Sequence, residues 1–130
     1  REEPLAWAAA ERFRIEDGAP IPLALGSATC IWRRAAEDAL AGATRPTRGL
    51  FFSKNFTAIG TVVRAGLAAT ILPASMVGGG LRRLGRSEGL PDLSLTRMGL
   101  IHAPGRPTEE AKALAEAIRS TIGAPARQAA

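Results

Sequence analysis

The stretch Ser53–Pro73, SKNFTAIGTVVRAGLAATILP, constrains the fold of this chain more than any other. In its first half Phe56, Ile59 and Val63 recur at helical spacing with Val62 beside them. Its second half is a short, largely apolar run that ends in proline. The pattern predicts a helix feeding directly into a buried strand. Gly66 stands where the helical period stops, a position that favours a residue without a Cβ. Pro73 closes the strand because it has no N–H to give to a ladder. Leu50, Phe51 and Phe52 form another apolar run just upstream, so the local order is strand, helix, strand, the unit from which parallel sheets are built.

A chain of 130 residues can bury one core but not two, and 46% apolar with 22% charged residues is ordinary for a globular domain. No apolar run approaches the roughly 18 residues of a membrane span, so no membrane partner is expected. The start, Arg1-Glu2-Glu3-Pro4, has neither an initiator methionine nor a signal-peptide pattern, and the chain reads as a piece of a longer protein. Seventeen basic residues against 12 acidic ones give a net charge of +5. The fifteen arginines and the lysines Lys54 and Lys112 are scattered rather than gathered into a run, which argues against a nucleic-acid surface here. Cys30, the single cysteine, excludes an internal disulfide and a cysteine zinc cage and is compatible with the cytosol.

Along the chain, Leu5 to Ala10 reads either as a short buried strand or as the start of a helix, and residues 11 to 20 as a charged segment ending in a turn. Ile21, Leu23 and Leu25 alternate as a strand. Ile31 to Ala43 is an amphipathic helix with Ile31, Ala35 and Ala39 on one line and Trp32, Ala36 and Leu40 on the next. Ser27 or Thr29 is expected to cap it. Gly78-Gly79-Gly80 reads as a linker, Leu81 to Gly89 as basic and irregular, and Leu93 to His102 as a strand. Thr108-Glu109-Glu110 opens a last helix whose apolar stripe is Ala111, Leu114, Ala115, Ile118 and Ile122; Gly123 and Pro125 end it, with a mobile tail beyond. The expected class is α/β, a Rossmann-like sheet with strands 21–25, 50–53 and 67–72 parallel and helices on its faces.

In such sheets ligands sit beyond the carboxyl ends of the strands, against the helix starts that follow. Here those starts are Ser27-Ala28-Thr29-Cys30 and Lys54-Asn55-Phe56-Thr57. Both present backbone N–H groups with short polar side chains that could receive a carboxylate or another small polar group, and both could equally be plain caps. Catalytic chemistry is not visible. Cys30 and His102 have no third residue to orient them, no His, Cys, Asp or Glu cluster has metal-ligand spacing, and no carboxylate pair stands out. Neither a cofactor nor a metal is expected. Trp7 and Trp32 read as core or interface residues.

The order of elements, the start REEPLAW, the segment Ile21 to Cys30 followed by Trp32-Arg33, and above all Ala58 to Pro73 with its helix, glycine, strand and proline resemble the effector-binding domain of LysR-type bacterial transcription regulators. Ala69 departs from the pattern, standing where that family usually has glycine or a β-branched residue. The resemblance implies half of a type 2 periplasmic-binding-protein-like fold of two subdomains. Residues 1–10 would be a hinge strand, 18–77 the second subdomain, and 92–123 the return strand and C-terminal helix of the first. It further implies a cytoplasmic, homo-oligomeric regulator that is not an enzyme and binds DNA only through a winged helix-turn-helix outside these residues. A small-molecule effector, with carboxylates among the candidates, would contact Ser27, Thr29, Cys30, Asn55, Phe56 and Thr57. A solute-binding protein or an enzyme of the same fold remains the alternative.

Overall fold

Leu5 to Ala10 resolves as strand. It is the buried part of β1 (Glu2–Ala10), the element to which most of the sheet attaches. In the computed structural model, which describes residues 1–122, β1 is followed by β2 (Ile21–Leu25), α1 (Ile31–Leu40), β3 (Thr47–Phe52), α2 (Phe56–Arg64), β4 (Thr70–Pro73), β5 (Leu81–Leu84), β6 (Leu95–Arg97) and α3 (Glu109–Ile122). Single 3-10 turns occupy Ala74–Met76 and Arg86–Glu88.

β1 is antiparallel to β4, with Leu5 opposite Pro73, to β5, with Trp7 opposite Leu84, and to β6, with Glu2 opposite Arg97. β2 and β3 are parallel. Ala69, one residue ahead of β4, bridges to Leu23 in the parallel sense: Ala24 N–H donates to the Ala69 carbonyl at 2.8 Å and Ala69 N–H to that of Pro22 at 2.9 Å. The strands therefore run β3, β2, β4, β1, β5. The expected parallel core is present, and β1 crosses it in the opposite direction to make a mixed sheet.

Alternation along β2 sends its side chains to two cores. Ile21, Leu23 and Leu25 join Leu5, Trp7, Ile71 and Leu84 on one face, beneath Trp32, Ala35, Ala36 and Leu40 of α1. Ala24 joins Ile59 and Val63 of α2 on the other. The two helices thus flank opposite faces. α2 ends as expected: Gly66 has φ +76°, its N–H reaches the Val63 carbonyl at 2.9 Å, and the Leu67 N–H reaches that of Val62 at 3.3 Å. That double bond pattern satisfies carbonyls the helix would otherwise leave open.

Several elements differ from the sequence reading: the strand expected at 50–53 runs Thr47–Phe52, and the helix read from Ile31 to Ala43 ends at Leu40. The strand expected at 67–72 begins at Thr70, because Leu67 lies in the turn after α2. The strand expected from Leu93 to His102 shrinks to Leu95–Arg97, since only Glu2–Pro4 of β1 offer it a partner. The segment read as irregular contains β5, whose Leu-Arg-Arg-Leu sequence has no strand signature; pairing with β1 imposes it. α3 starts where expected, with the Thr108 hydroxyl accepting from Ala111 N–H at 3.2 Å. Of its stripe only Ala115 is buried. The helix stop at Gly123 and Pro125 and the tail beyond lie outside the described residues.

Among the described residues, Glu3 is the charged residue buried most deeply, at 4% exposure. Its carboxylate accepts from the Ser75 N–H and from the Arg1 guanidinium, both at 2.8 Å, tying β1 to the turn after β4. Burial alone pushes this carboxyl up, but the bonds from Ser75 and Arg1 outweigh it and hold it below its ordinary value. A carboxyl lowered by folding stabilises the fold above its unfolded pKa, and that contribution fades as pH falls through the lower folded value. We expect Glu3→Gln to cost about 2 kcal/mol at neutral pH and to flatten the acid limb of stability against pH, measured by urea unfolding at stepped pH.

Candidate functional site

α1 and α2 lie on opposite faces, yet both begin at the same edge of the sheet, after the carboxyl ends of β2 and β3. Their first turns meet there. The Trp32 indole and the Phe56 ring approach edge to face, with centroids 5.3 Å apart and planes at 62°.

The two starts are built differently. Asn55 is the N-cap of α2, its Oδ1 accepting from Thr57 N–H at 2.9 Å and Ala58 N–H at 3.4 Å, while its own N–H donates to Ser53 Oγ at 3.0 Å. Its side chain serves the helix. α1 has no side-chain cap, contrary to the expectation for Ser27 or Thr29. Those residues form a turn of their own, closed by Cys30 N–H on the Ser27 carbonyl at 2.9 Å, and their hydroxyls lie 3.2 Å apart, bonded to each other. The N-cap position therefore falls on Cys30, whose thiol is a weak acceptor. Cys30 also explains Gly26, where an added Cβ would come within 2.6 Å of the Cys30 Cβ.

Between the helix starts and β6 lies a cavity of about 300 Å³ lined by Ile31, Trp32, Phe56, Thr96, Arg97 and Met98. Trp32 Nε1–H donates to Thr96 Oγ1 at 3.1 Å, and Thr96 is buried. Arg97 Nε–H donates to Glu2 Oε1 at 2.7 Å. At the end of β3 the Arg33 guanidinium lies 4.4 Å over the Phe52 ring while its Nε–H donates to Glu37 at 2.6 Å. Of the six residues singled out in the sequence, Phe56 is on the cavity wall. Ser27, Thr29, Cys30, Asn55 and Thr57 belong to the helix starts that flank it. The β6 wall was not visible in the sequence, since nothing local ties Thr96 to a tryptophan 64 residues earlier. His102 lies 3.2 Å from the Arg119 guanidinium of α3.

A sheet of this topology, with two helix starts facing a cavity at one edge, occurs in a known family. The LysR substrate binding domain pattern matches residues 1–123. The chain belongs to this family. Among relatives of this LysR substrate-binding domain, HTH-type transcriptional regulator PecT of Dickeya dadantii (strain 3937) is 30% identical over 120 residues, which make up 92% of this chain and 38% of PecT. The regulatory domain of HypT from Salmonella typhimurium in its apo form superposes with a TM-score of 0.63 at 20% identity, covering 95% of this chain and 63% of that one. The regulatory domain of CcmR from Synechocystis PCC6803, solved in complex with 2-PG, gives 0.57 at 12% identity, covering 98% and 64%. These likenesses establish the periplasmic-binding-protein-like fold. Among the described residues no helix is long and apolar enough to cross a membrane.

The unequal capping has a measurable consequence. Asn55→Ala should lower stability by about 1 kcal/mol, whereas Ser27→Ala and Thr29→Ala should each change it by less than about half that, compared by urea unfolding.

Proposed function

We propose that this LysR substrate-binding domain is the sensing part of a bacterial transcription regulator, and that it binds a small-molecule effector where the starts of α1 and α2 meet. The observation that carries the reading is that edge itself. Two helices on opposite faces of the sheet bring their first turns to one cavity, and the cavity is open to a ligand. In this reading Phe56 forms part of the wall. Ser27, Thr29, Cys30 and Thr57 supply the polar rim, with Asn55 holding the tip of α2 in place. The effector's polar group, a carboxylate or similar, faces that rim.

The whole protein would be cytoplasmic and homo-oligomeric, and would contact DNA through a separate N-terminal winged helix-turn-helix. It needs no cofactor and performs no catalysis in this reading. An effector that binds one arrangement of the cleft more tightly than another shifts the population between them, and a coupling of about 1–3 kcal/mol is enough to change DNA affinity several-fold or more. That PecT is a transcriptional regulator favours this over a solute-binding protein or an enzyme of the same fold.

A thermal-shift screen of small carboxylates and aromatic compounds on the full-length protein should yield a compound that raises Tm and also alters the protein's DNA footprint. Thr57→Val and Ser27→Ala should abolish that rise. Equal stabilisation of both variants would put the ligand elsewhere, and failure to bind duplex DNA would remove the regulator reading.

A further inference from the structure

The cavity at the helix starts has a chemistry narrower than that of a generic effector site. We propose that it takes a single aromatic ring, seated against Trp32 and Phe56, so that the effector belongs to the class of one-ring aromatic compounds. This rests on the effector-domain reading above and specifies its ligand.

Size comes first. A volume of about 300 Å³ is roughly twice the ~150 Å³ with which an apolar protein cavity binds benzene, which leaves room for one ring and a substituent. Polarity comes next. Ile31, Trp32, Phe56 and Met98 give the wall its carbon surface. Of the polar groups beside them, Thr96 Oγ1 accepts from the Trp32 indole, and Arg97 gives its Nε–H to Glu2 while the rest of its exposed guanidinium stays at the rim. At α2 the first-turn N–H groups of Thr57 and Ala58 are taken by Asn55. Among these carbon walls a strongly polar group would lose water, so it belongs at the rim, where Arg97 and the helix starts can meet it.

The aromatic geometry then selects among apolar ligands. The bond to Thr96 fixes the plane of the indole, and Phe56 meets it edge to face, so the two rings are set before anything binds. A third ring can add edge-to-face or offset contacts to both, a gain a saturated group of equal size does not obtain. The Met98 thioether beside them is the kind of side chain that packs well on a ring edge.

The test is calorimetric titration of the full-length protein with benzoate, cyclohexanecarboxylate and acetate, which share one negative charge and differ in what it is attached to. Benzoate is expected to bind, and acetate to bind about fiftyfold more weakly for want of the buried ring. Trp32→Phe keeps an aromatic ring and removes the indole N–H, and Trp32→Leu leaves a smaller apolar side chain with no ring; Trp32→Leu should weaken benzoate about fivefold relative to Trp32→Phe and leave cyclohexanecarboxylate within about twofold of it. Phe56→Leu, at a half-exposed position, should act the same way without endangering the fold. The aromatic class is overturned if cyclohexanecarboxylate binds as tightly as benzoate and neither substitution separates them, or if acetate matches benzoate. It is also overturned if benzoate fails to bind at millimolar concentration, the result expected if another segment of the regulator fills the cavity. Ringless compounds that stabilise the protein through Ser27 and Thr57 would remove the aromatic class and keep the effector reading, whereas a broad screen in which nothing stabilises the protein removes both.

Discussion

The burial of β1 is the constraint on which the rest of the structure depends. From Trp7 to Ala10 every residue is buried, and three other strands take their hydrogen bonds from this one. Alanine is a poor strand former by itself, so the run Ala8-Ala9-Ala10 becomes a strand because β4 and β5 pair along it and because a small side chain lets neighbouring layers close over it. Trp7 supplies the bulk the alanines lack. It is fully enclosed, and its Nε1–H finds the Pro91 carbonyl at 2.8 Å, which fastens the irregular chain between β5 and β6 to the core. Without β1 the parallel strands β2 and β3 would lose the link to β6, and with it the far wall of the cavity, and α1 would lose Leu5 and Trp7 from the core beneath it.

What could be read in advance follows from how local each signal is. Residues 53 to 73 were legible because period, glycine and proline all speak about the same stretch of chain, and the Gly66 stop formed as its position implied. β5 was illegible because two arginines in four residues carry no strand preference; its conformation is imposed by a partner more than 70 residues away in sequence. The cap of α1 failed for a different reason. Ser27 and Thr29 are good capping residues, but a turn between them spends their hydroxyls on each other and moves the cap position to Cys30. Propensity told which residues could cap, while the turn decided which did.

The same division applies to the site. Phe56 was visible because it opens a helix after a strand, a position with a known relation to the sheet edge. Trp32 was visible as a large apolar residue, and the reading of core or interface holds in part: one side of the ring packs on the core under α1 and another faces the cavity. Thr96, Arg97 and Met98 had no local signal. They sit at the cavity because Arg97 pairs with Glu2 across the β1–β6 ladder, a consequence of tertiary register alone.

That register also decides how the cavity is connected to the rest of the domain. The Trp32 indole is bonded to a buried hydroxyl on β6, β6 is paired with the first residues of β1, and Glu3 of β1 is clamped by Ser75 in the turn after β4. Force on Trp32 is therefore carried to β6 and β1, and not borne by a helix alone. Turning the indole away would give up one hydrogen bond worth about 1 kcal/mol net, which is of the same order as the coupling energies of 1–3 kcal/mol typical between linked sites. The Trp32–Thr96 bond thus holds the indole plane with an energy comparable to such couplings. Under the proposed function it is the joint at which occupancy of the cavity is passed to the strands.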